Sequence, residues 1–111
     1  MIDWSRCPDA ESVPGRCSGA WVVKDTRVMV SGILDNFEAD ESPLAIARVF
    51  TVPVATVRRV LAFAITAQLR ALLDARLAGT WTRKDAYCLD KLGRQLAEID
   101  KALRRSPKPA R

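Results

Sequence analysis

Ile46-Ala47-Arg48-Val49-Phe50-Thr51-Val52-Pro53-Val54-Ala55-Thr56-Val57-Arg58-Arg59-Val60-Leu61 is the stretch on which the fold turns. Two helices joined by a tight turn must approach closely, which demands a small residue in the first helix; Ala47 supplies it. Val52, just past the turn, and Val57, Val60 and Leu61 in the second helix offer an apolar core. Pro53 pushes Val52 toward an extended conformation and so ends the first helix. Thr51 stands where such turns usually carry glycine. The pattern is that of a helix-turn-helix.

Toward the N-terminus, Ser42-Pro43 gives a cap and a proline at the first helical position, so the first of these helices is expected over Pro43–Phe50. A shorter helix, about 32–38, is expected before it, capped by Ser31 and striped by Ile33, Leu34 and Phe37. Trp21–Lys24 and Arg27–Val30 are two β-favouring runs joined by Asp25-Thr26, which reads as a hairpin. Residues 1–19 read as an irregular arm in which Trp4 is the anchor to the core.

Toward the C-terminus, the helix opening near Pro53 or Val54 meets no stop until Gly79. Thr82 and Asp85 resemble a capping box that starts a last helix ending about Arg105. Its apolar residues Leu89, Leu92, Leu96, Ile99 and Leu103 are spaced 3, 4, 3, 4, a coiled-coil-like seam. The expected fold is mainly α. A short β-hairpin is followed by a three-helix homeodomain-like or winged helix-turn-helix core, then a helical hairpin extension. The boundaries are 1–64 for the first domain, 65–105 for the extension and 106–111 for a disordered basic tail.

Charge is divided unevenly. Residues 1–47 carry four basic and eight acidic side chains, residues 48–111 fourteen and five. A basic half suits an anionic partner, nucleic acid or an acidic protein surface, although helical surfaces are often basic without binding anything. The chain has no histidine, which excludes Ser-His-Asp and Cys-His catalysis and histidine-ligated metals. Cys7, Cys17 and Cys88 form no C-x-x-C pair, so no metal site and no cofactor are expected. Free thiols in a reducing, cytoplasmic compartment are the simpler reading of these cysteines; a Cys7–Cys17 disulfide stays open. No apolar run approaches the roughly 20 residues that span a bilayer, and the first residues do not read as a secretion signal. No phosphate loop or carboxylate pair suited to acid–base work occurs, so catalysis is not expected.

In a DNA reader, exposed residues early in the second helix of the pair face the duplex. Here Arg58 and Arg59 suit guanine or phosphate, and Thr56 suits phosphate. Against this stand the acidic residues Glu38–Glu41 close by and the use of such three-helix cores without nucleic acid. Both readings stay open.

Val13-Pro14-Gly15-Arg16, Ser18-Gly19-Ala20-Trp21-Val22 and Thr26-Arg27-Val28 before Val30, with the helices that follow, resemble a bacterial family, the domain of unknown function 433, related to VapB-type antitoxins. The resemblance covers about residues 3–64. Asp25 stands where the family has glycine, Met29 where it has proline, and the family's glycine before the second helix is missing near Asp40. For some members the resemblance implies an antitoxin that neutralises a PIN-type ribonuclease toxin and binds operator DNA as a dimer. Residues beyond 64 lie outside it. A two-helix hairpin has little core of its own, so Leu89, Leu92, Leu96, Ile99 and Leu103 are the expected interface of a homodimer or of a toxin-binding arm. The alternative function is a non-catalytic interaction or self-association module that binds no DNA.

Overall fold

The computed structural model describes residues 2–105; the expected disordered tail lies outside them. The fold is mainly helical with one short antiparallel pair of strands, as expected from the sequence. Strand β1 is Ala10–Ser12 and β2 is Trp21–Val23; the helices are α1 (Val30–Glu38), α2 (Pro43–Phe50), α3 (Val54–Leu77) and α4 (Arg83–Arg105).

The strands pair differently from expectation. β2 pairs with β1, in the register Ala10 with Val23, Glu11 with Val22 and Ser12 with Trp21. The expected second strand, Arg27–Val30, contributes a single bridge, Met29 to Val22, before the chain turns into α1. Asp25-Thr26 does form the turn. Thr26 Oγ1 donates to the Val23 carbonyl at 2.7 Å and accepts from the Val28 N–H at 3.0 Å. The run after the turn cannot extend because Val30 is buried at the start of α1 rather than along a strand edge. For the same reason α1 begins at Val30, with Met29 in the cap position and no side-chain cap, so Ser31 lies inside the helix.

The remaining helix starts follow local chemistry. Ser42 Oγ accepts from the Ala45 N–H at 3.1 Å, and Pro43 opens α2. The Thr82–Asp85 capping box is reciprocal: Thr82 N–H donates to Asp85 Oδ2 at 3.0 Å, and Asp85 N–H donates to Thr82 Oγ1 at 3.2 Å.

Two compact units divide the chain, Asp3–Leu61 and the part from Ala62 on. The first unit buries Trp4, Cys7, Val22, Val23, Val30, Ile33, Ile46, Ala47, Val52, Val57, Val60 and Leu61. Each large aliphatic side chain so buried is worth about 1.5–3 kcal/mol relative to exposure; Trp4 and Cys7, buried with them, tie the arm to this core. Gly32 in α1 lets α2 come close, since a Cβ there would lie 3.3 Å from Phe50 Cζ. In the second unit Ala64, Ile65 and Ile99 are buried, and the other seam residues of α4 are half-buried. Among the described residues no single helix is long and apolar enough to cross a membrane.

Candidate nucleic-acid interface

The chain bends by 118° between α2 and α3. Three residues, Thr51 to Pro53, make the turn. Thr51 takes the left-handed conformation, φ 55°, that glycine usually supplies at a helix end. Val52 is buried, and its N–H donates to the Ala47 carbonyl at 3.0 Å, which closes the turn against the small residue of α2. The Pro53 carbonyl accepts from Val57 N–H at 3.1 Å and starts α3.

This turn sets out the three candidate DNA contacts on the first two turns of α3. Thr56 and Arg58 are half-buried and Arg59 is exposed. Arg59 is already engaged. Its Nε and Nη2 grip the Asp9 carboxylate at 3.1–3.2 Å, and Nη2 also donates to Thr56 Oγ1 at 3.2 Å. The Asp9 carbonyl accepts the Lys24 N–H at 2.9 Å, so one residue of the arm holds both β2 and α3. Arg58 forms no ion pair among the described residues, nor does exposed Arg48 in the last turn of α2. These two are the guanidinium groups nearest the turn with no carboxylate on them.

Asp9 and Arg48 were not singled out from the sequence. Arg48 carried a signal, a basic residue one position after the small Ala47 and therefore on the outer side of α2. Asp9 carried none, because fifty residues separate it from Arg59.

A second cluster lies beside the first. Glu11 Oε2 accepts from Arg16 Nη1 and from the Asp25 N–H, both at 2.8 Å. It thereby holds Asp25, whose φ of 64° explains how the turn works without the family's glycine. Asp40, φ 68°, does the same service before α2. Cys7 is buried, and desolvation pushes its thiol above the usual value. All three cysteines are free; Cys17 and Cys88 are half-buried, and Cys17 Sγ donates to the Arg27 carbonyl at 3.4 Å. No group of three or more metal-ligating side chains is assembled among the described residues.

The expected interface of α4 is divided. Ile99 is buried, whereas Leu89, Leu92, Leu96 and Leu103 stay half-exposed.

The class so defined is a small, mainly helical protein with a strand pair braced on its first helices and a sharply bent helix pair. Residues 11–64, a little under half of the chain, match the family described as "Protein of unknown function (DUF433)". No curated protein and no solved structure matches it.

Proposed function

We propose that the chain acts by binding rather than by catalysis, and that its first unit is a helix-turn-helix reader of DNA of the antitoxin type. The observation that carries this reading is the 118° bend through three residues between α2 and α3, within the range at which a helix-turn-helix offers its second helix to a major groove. Arg58 is the contact of first rank, with Arg48 beside it; Thr56 and Arg59 serve first to hold the arm.

Fluorescence anisotropy on duplex DNA from upstream of its own gene, against a random duplex and across salt concentrations, is the test. Arg58→Glu is expected to weaken binding at least about tenfold, as loss of one guanidinium contact and gain of a repelling charge require. Retention unchanged by that substitution counts against the reading.

A protein partner such as a ribonuclease toxin is the second reading, favoured by the outer face of α2. Leu44 and Val49 are exposed there, Val49 at 67%, around Arg48. Co-purification with the product of a neighbouring gene, abolished by Val49→Glu, supports it; unchanged recovery of that product removes it.

A further inference from the structure

Lys84, Tyr87, Lys91, Arg94, Glu98, Lys101 and Arg105 follow one another along α4 at intervals of 3, 4, 3, 4, 3 and 4, and every one of them is exposed. At about 3.6 residues per turn they form a nearly straight stripe, roughly 150° round the helix from the leucine seam. Five are basic, one is tyrosine and one is acidic. We propose that this stripe is a separate, sequence-independent contact surface that takes the phosphodiester backbone of duplex DNA. It stands apart from the helix-turn-helix reading of the first unit and does not depend on it.

The cations of the stripe are available. Lys84, Lys91, Lys101 and Arg105 form no ion pair among the described residues. Arg94 holds Asp90 at 2.7 Å, but their side chains are 72% and 67% exposed, and a pair so open to water is weak. Like charges also stand side by side. Lys91 and Arg94 are three residues apart, Lys101 and Arg105 four, and such neighbours slightly destabilise a helix. A surface facing only solvent does better with both signs interspersed. An anion lying along the stripe relieves both repulsions.

The chemistry of the stripe selects the anion. Protein interfaces rest on buried apolar and aromatic anchors and are depleted in lysine. Here three of the five cations are lysine, and Tyr87, 64% exposed, is the one large apolar side chain. A helix that lies on a membrane sinks its apolar face into the lipid, whereas the apolar seam of α4 turns away from the stripe and has Ile99 buried inside the chain. A phosphate backbone asks only for cations and polar donors, and tyrosine is among the donors it uses. Lys91 and Lys101 stand about 15 Å apart along the helix axis, a separation that suits the two edges of the major groove of B-DNA, about 12 Å wide. The major groove of duplex RNA is deep and narrow.

Fluorescence anisotropy of the full chain on a random-sequence DNA duplex, from about 50 to 200 mM salt, tests it. The double variant Lys91→Glu, Lys101→Glu is expected to keep the helical circular dichroism, because both side chains are exposed. It is expected to weaken binding at least about tenfold and to make the slope of log affinity against log salt shallower by about two. Glu98→Lys fills the one gap in the stripe and is expected to tighten binding at least about threefold; this gain decides the matter if the double variant fails to fold. Lys24→Glu with Arg27→Glu, an equal change in net charge on exposed residues of the first unit, is the control. A wild type that does not bind at the lowest salt overturns the proposal. So does a loss no larger in the α4 variant than in the control, or tighter capture of duplex RNA, poly-glutamate or phosphatidylserine vesicles than of the DNA. None of these substitutions touches Arg58, so this proposal and the helix-turn-helix reading fail separately.

Discussion

Thr51 holds a β-branched side chain in the left-handed region, at φ 55°. For an ordinary L-residue that conformation costs roughly 1–2 kcal/mol, offset in part because threonine loses less backbone freedom on folding than glycine. Thr51→Gly is expected to raise stability by about 0.5–1 kcal/mol, read from the urea midpoint, with the α2–α3 turn unchanged. Cys7 supplies a second prediction at this scale. Burial favours its neutral thiol, so the folded chain keeps the proton to higher pH than the unfolded one. A raised value means the contribution is complete below the unfolded thiol's range, about pH 8.5, and is lost as pH rises from there through the folded value. Stability should fall with increasing alkalinity above that point, and Cys7→Ala should flatten part of the slope while lowering stability at neutral pH. Cys7 should also be the slowest of the three thiols to react with iodoacetamide, because Cys17 and Cys88 are half-exposed.

Arm, strand pair and α3 are joined at Asp9, and the joint is only partly shielded: the side chains of Arg59 and Asp9 are 49% and 20% exposed. Screening by water keeps such a pair near the low end of the ionic range. A double-mutant cycle of Asp9→Ala and Arg59→Ala is expected to give a coupling of roughly 0.5–1 kcal/mol by chemical denaturation; additive effects would mean that the two grip nothing of each other in solution. This joint also marks where sequence reading ends. Helices α2, α3 and α4 were legible because their start signals are local: Ser42-Pro43, Pro53, and Thr82 with Asp85 act within three or four residues. β1 was not. Ala10-Glu11-Ser12 has neither β-branched residues nor alternation, and it becomes a strand only because β2 lies alongside to pair with it. The candidate site divides in the same way. The placing of Thr56, Arg58 and Arg59 at the start of α3 followed from the turn, whereas the engagement of Arg59 depends on a carboxylate fifty positions away that no local pattern reveals.

Over the whole chain, the two units are unequally provided with core. Asp3–Leu61 buries apolar side chains from every one of its helices, while α4 buries only Ile99. In the row Leu69, Leu73, Leu77 of α3, exposure climbs from half-buried to 88% at Leu77. A helix pair with so little buried surface gains stability from whatever covers it. If that cover is a second copy, stability must depend on protein concentration, because unfolding then releases two chains from one dimer. Each tenfold increase adds about 1.4 kcal/mol per mole of dimer. For a chain of this length that corresponds to a rise in Tm of about 3 °C. Differential scanning calorimetry from about 5 to 500 μM should show that rise. A Tm that ignores concentration across the range would show that the second unit is stable by its own contacts.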